Sequence, residues 1–154
     1  MTDRNFVEIL LVEDNKSDAE LTLMALEDFH LSNQIVWLKN GKEALDFLFG
    51  RGEYEGRDTL QVPKIILLDL KMPKVDGIEV LRAVRSDPKT KFIPVTVLTS
   101  SKEDKDIVET YQLGVNSYIV KPVDFDQFVK AVKDVGYYWG ILNQHPRKNG
   151  NTDS

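Results

Sequence analysis

Five short strand-like runs, each followed by a polar turn and a helical stretch, constrain this chain more than any other feature. The runs are Val7–Val12, Gln34–Leu38, Lys64–Asp69, Ile93–Leu98 and Ser117–Val120. Short runs rich in apolar residues and bounded by turn signals read as strands of a buried parallel sheet. Helical stretches alternate with them. One starts at about Ser17, where Ser17 and Glu20 fit a capping box. Gly41–Phe49 places Ala44, Leu45 and Leu48 on one face, and Ile78–Arg85 is stopped by Asp87-Pro88. A fourth runs from about Ser101, boxed with Asp104, to Gly114. The last begins after Asp124, capped with Gln127, and repeats apolar residues at helical spacing: Phe128, Val132, Val135, Trp139 and Leu142. Five β-α repeats predict an α/β fold: a doubly wound, five-stranded parallel sheet with helices on both faces.

Residues 6–142 are expected to form one domain, and the polar stretch 143–154 a disordered tail. Gly50–Val62 carries Gly50, Gly52 and Gly56 and reads as a polar loop longer than usual for this class. No helix-turn-helix segment follows Leu142, so no output domain is expected. The net charge of −5 argues against nucleic acid as a partner. No cysteine is present, which suits a reducing compartment. No apolar run approaches membrane-spanning length, and the polar start at Met1 is unlike a signal peptide. A cytoplasmic protein without membrane contact is expected.

The strand ends carry the chemistry. In open α/β sheets, ligands bind outside the carboxyl ends of the strands. Asp69 closes the third run, Glu13-Asp14 follow the first, Thr99-Ser100 the fourth and Lys121 the fifth. Each has a bland reading. An acid pair suits the start of a helix, a hydroxyl caps one, and a lysine at a strand end is ordinarily solvated. Together on one sheet edge they suggest phosphoryl chemistry. A carboxylate can accept a phosphoryl group, neighbouring carboxylates can hold Mg²⁺, and a hydroxyl and an ammonium can contact phosphoryl oxygens. Pro122 confines Lys121 to extended backbone and permits a cis bond. Asp76-Gly77 reads as a turn before the next helix.

The set V-E-D-N (12–15), L-L-D-L-K-M-P (67–73) with D-G (76–77), L-T-S (98–100) and Y-I-V-K-P (118–122) resembles a bacterial response-regulator receiver domain of flavodoxin-like fold. The resemblance spans about residues 6–142. It implies Asp69 as phosphoacceptor and a Mg²⁺ (or Mn²⁺) site from Glu13, Asp14, Asp69 and the Lys71 backbone carbonyl. It implies Thr99, Ser100 and Lys121 as phosphoryl contacts, and a switch that couples Thr99 to Tyr118. The partner it implies is a sensor histidine kinase, with the chain as acceptor rather than enzyme. The segment 51–63 and the Tyr137-Tyr138-Trp139 run further resemble small regulators paired with bacterial phytochrome kinases. That match implies light signalling and a homodimer through the fourth helix, fifth strand and fifth helix.

Two other classes fit less well. A haloacid-type phosphatase needs a second acid two residues after the nucleophile, where Lys71 stands. A flavodoxin-like electron carrier needs a phosphate-cradling loop after the first strand, where Glu13-Asp14 would repel phosphate.

Overall fold

The computed structural model describes residues 9–26, 35–70, 76–100 and 113–134. Five parallel strands form one sheet in the order β2-β1-β3-β4-β5. They are β1 (Ile9–Val12), β2 (Ile35–Leu38), β3 (Ile65–Asp69), β4 (Val95–Thr99) and β5 (Ser117–Val120). The described helices are α1 (Lys16–Leu26), α2 (Gly41–Phe49), α3 (Gly77–Ser86) and α4 (Phe125–Asp134), with a 3₁₀ turn at Gly52–Tyr54. The doubly wound fold expected from the sequence is the one observed.

Strand residues alternate between two cores, because successive side chains leave opposite faces of a sheet. Ile9, Leu11, Ile65, Leu67, Leu98 and Ile119 pack with α1 and α4 through Ala19, Leu26, Phe128 and Ala131. Leu10, Val12, Ile66, Leu68, Val95 and Val97 pack with α2 and α3 through Phe47, Leu48, Val80, Leu81 and Val84. β1 and β3 are fully buried along their apolar length. That explains why their sequences run apolar without alternation, and each such side chain contributes about 1.5–3 kcal/mol.

Several local details differ from the sequence reading. The Ser17–Glu20 capping box does not form. The Asn15 side chain accepts the Asp18 N–H at 2.9 Å instead, and α1 starts one residue earlier than expected. An Asn side chain caps as well as Ser, and it lies directly at the turn out of β1. The expected turn at Asp76 is a full capping box with Glu79. The long loop after α2 is ordered by contacts that no periodicity reveals. The Arg57 guanidinium lies 3.8 Å from the Phe47 ring centroid and donates to Phe47 O at 2.8 Å. Tyr54 meets Phe47 edge-on. Gly50 begins the loop at φ 68, a left-handed conformation that closes α2.

Lys71, residues 101–112 of the helix expected from Ser101 to Gly114, the tyrosine pair and Trp139, and the tail 143–154 lie outside the described residues. No described helix is long and apolar enough to cross a membrane.

Candidate functional site

Strand register assembles the site. Val12 pairs with Leu68, so the next residues, Glu13 and Asp69, emerge side by side between β1 and β3. This is the switch point of the strand order, where crossovers leave toward opposite faces and a crevice opens. Asp69 pairs with Leu98, and Thr99 with Val120, which brings Thr99 and Lys121 to the same edge. The Lys121 N–H donates to Thr99 O at 2.8 Å, and the Lys121-Pro122 bond is cis.

Pleat parity divides these residues. Glu13, Asp69 and Lys121 continue the face of Leu11, Leu67 and Ile119, beside α1 and α4. Thr99 and Tyr118 belong to the opposite face with Val95 and Val97, and Tyr118 packs against that core. The acids and the lysine therefore form one cluster, and the hydroxyl and the aromatic residue form a second pair across the sheet.

In the first cluster, Glu13, Asp14 and Asp69 each offer a carboxylate oxygen, and these atoms lie within 4.8 Å of one another. Glu13 is fully buried, Asp69 is 4% exposed and Asp14 is open to solvent. Lys121 Nζ lies 3.3 Å from Asp69 Oδ1 and 3.4 Å from both Glu13 oxygens. Burial drives the Asp69 carboxyl up to about 8, the Glu13 charge and hydrogen bonding push the same way, and Lys121 opposes them. Burial alone would lower the Lys121 ammonium, but the Asp69 and Glu13 carboxylates, with Asp18, hold it above its ordinary value. Three carboxylates converge here, and a divalent cation would offset their repulsion. The oxygen donors and the one solvent-facing side suit Mg²⁺ or Mn²⁺, which take carboxylates and keep waters.

Thr99 is 3% exposed and Ser100 is exposed at the same edge. Two participants, Asp18 and Trp37, escaped the sequence reading, and a third, Gly77, was read there only as part of a turn. Asp18, in the first turn of α1, places Oδ2 3.2 Å from Lys121 Nζ. Trp37 donates its indole N–H to Glu13 O at 2.8 Å, which fixes the backbone at the end of β1. Gly77 donates its N–H to Leu70 O at 2.9 Å and packs flat against the end of β3. No sequence signal marked Asp18 or Trp37, because both contacts depend on how segments distant in sequence pack together.

An open, doubly wound sheet with an acidic cluster and a lysine at its switch point defines a class of α/β proteins that carry a candidate divalent-cation site at the strand ends. Within that class the chain belongs to the response regulator receiver domain family, which matches residues 9–133. It is thus a receiver of two-component signalling. The bacteriophytochrome response regulator RtBRR is 52% identical; the match covers 92% of this chain and 84% of that one, with a TM-score of 0.82. The phosphorylated cyanobacterial phytochrome response regulator RcpA is 41% identical, covering 87% and 94%, with a TM-score of 0.69. The probable methanogenesis regulatory protein FilR2 of Methanothrix harundinacea is 42% identical over 138 residues, 90% of this chain and 86% of its own length.

Proposed function

We propose that Asp69 accepts a phosphoryl group from the phosphohistidine of a sensor histidine kinase. A carboxylate oxygen of Asp69 forms the new bond to phosphorus, the P–N bond to the imidazole breaks, and the imidazole leaves to take up a proton from water. The product is a mixed anhydride on Asp69. The observation that carries this reading is the Asp69 carboxylate, nearly buried between the Glu13-Asp14 pair and the Lys121 ammonium. Phosphoryl transfer needs positioning and charge neutralisation more than covalent help from the protein. Mg²⁺ or Mn²⁺ held by Glu13, Asp14, Asp69 and the Lys71 carbonyl would supply charge neutralisation. Lys121, Thr99 and Ser100 contact the phosphoryl oxygens.

The output is a packing switch. Thr99 moves toward the phosphoryl group and vacates space on its face of the sheet, and Tyr118 turns into it. Parity supports the pairing, because Thr99 and Tyr118 share one face on neighbouring strands. The surface that changes includes β5 and α4. Val120 and Phe125 are exposed there, beside a groove of about 450 Å³ lined by Tyr118, Gln127 and Lys130. Dimerisation through this face, a single domain over residues 6–142, a cytoplasmic location and transmission by protein contact belong to the same proposal. The chain acts as an acceptor and does not turn over a substrate.

Similarity to RtBRR and RcpA favours a phytochrome kinase as donor. Incubation with a small-molecule phosphodonor and Mg²⁺, followed by intact mass, tests the acceptor. One added phosphoryl group, absent from Asp69→Asn, is expected, and labelling of Asp69→Asn would overturn the assignment. Transfer from a purified bacteriophytochrome kinase then tests the donor.

A further inference from the structure

The acceptor site contains one acid outside the cation cluster. Asp18 Oδ2 lies 3.2 Å from Lys121 Nζ, yet Asp18 is not among the three carboxylates that converge within 4.8 Å. The ammonium has three N–H donors and faces four carboxylate oxygens at 3.2–3.4 Å: two from Glu13 and one each from Asp18 and Asp69. Charge-assisted N–H···O bonds close to about 2.7–2.9 Å when one partner dominates. Here none does. Lys121 is divided between the cluster and α1.

The backbone holds Asp18 in place for this. Its N–H donates to the Asn15 side chain at 2.9 Å, and its C=O accepts the buried Thr22 hydroxyl at 2.9 Å. Its carboxylate is 31% exposed, whereas the Lys121 side chain is 15% exposed and Glu13 is fully buried. The ammonium thus has a half-solvated anchor on one side and a buried acid pair on the other.

A lysine next to Glu13 and Asp69 competes with a divalent cation for the same carboxylates. We propose that Asp18 is a positioning residue for Lys121. It draws the ammonium toward α1 and leaves the Glu13–Asp14–Asp69 cluster open to the cation. The inference rests on the proposed acceptor role of this cluster. Without Asp18 the ammonium moves fully onto Glu13 and Asp69, and cation affinity falls.

The test is Mg²⁺ and Mn²⁺ titration of the full chain by tryptophan fluorescence, since the Trp37 indole is bonded to the Glu13 backbone. Asp18→Asn is expected to weaken cation binding about fivefold. In a Lys121→Ala background the same change is expected to alter affinity less than about twofold, because the residue acts through Lys121. Asp18→Glu, which keeps the carboxylate, is expected to restore affinity to within about twofold of the parent. Equal weakening in both backgrounds would mean a plain through-space charge effect, and it would overturn the proposal, as would unchanged affinity in Asp18→Asn. Failure of the acceptor reading appears separately, as labelling that survives Asp69→Asn.

Discussion

Gly77 lies so close to Asp69 that a Cβ built on it would stand 2.6 Å from the Asp69 carbonyl oxygen and 2.7 Å from Leu70 Cα. Both are backbone atoms, with no flexible side chain to yield. The start of α3 is thereby pressed onto the end of β3, and the Gly77 N–H bonds the Leu70 carbonyl. Gly77→Ala is expected to cost about 1–3 kcal/mol by overpacking and to slow phosphorylation of Asp69. Urea unfolding and intact-mass labelling check both. A variant with parent-like stability and labelling would show that the strand end tolerates displacement.

The Asp69 carboxyl also makes stability depend on pH. Its folded value is raised from 3.8 to about 8, so between these values the folded protein keeps a proton that the unfolded chain releases. This contribution is complete below the ordinary carboxyl range and is lost as pH rises through about 8. In chelator, the parent should lose stability from pH 5 to pH 9 relative to Asp69→Asn, which lacks the group. Mg²⁺ should recover much of the loss at the alkaline end, since a cation favours the carboxylate. Parallel urea midpoints for both proteins across that range would refute the linkage.

Tyr118 packs against the core on the face it shares with Thr99. If its side chain carries the output, Tyr118→Ala should weaken phosphorylation-dependent association. Sedimentation of both proteins with and without phosphodonor measures this. An equal gain in dimer fraction would remove Tyr118 from the switch.

Arg85 braces the sheet edge opposite the site. Its guanidinium donates to the carbonyls of Leu113, Lys91, Ile93 and Gly114 at 2.8–3.0 Å, which ties the entries of β4 and β5 to α3. Arg85→Ala is expected to cost about 1.5–3 kcal/mol. Arg85→Lys should recover little, since one ammonium cannot span four carbonyls in a planar fork. Full recovery in the lysine variant, read from urea midpoints, would argue against the fork.

The strand ends were legible because burial on both faces demands an unbroken apolar run, and the first polar residue after it marks the edge. Asp69 and Glu13 could be named that way, and Lys121 by its place before Pro122 at the end of the half-exposed edge strand β5. Asp18 could not, because its approach to Lys121 depends on how α1 crosses the sheet. Arg57 was hidden for a related reason: its partners are a ring and carbonyls on a neighbouring element. The cap of α1 was misplaced because Asn15 and Ser17 are both good caps, and only the exit direction of β1 selects between them.

By itself the sequence determined the strands, the buried character of β1, β3 and β4, and the residue types at each strand end. Those follow from local periodicity and from solvation of the chain. The tertiary structure alone decided that β3 lies beside β1, that one ammonium faces three acidic side chains, and that burial raises the Asp69 carboxyl above its ordinary value. Coulomb and desolvation energies depend on distances through space, and the crossovers between strands set those distances.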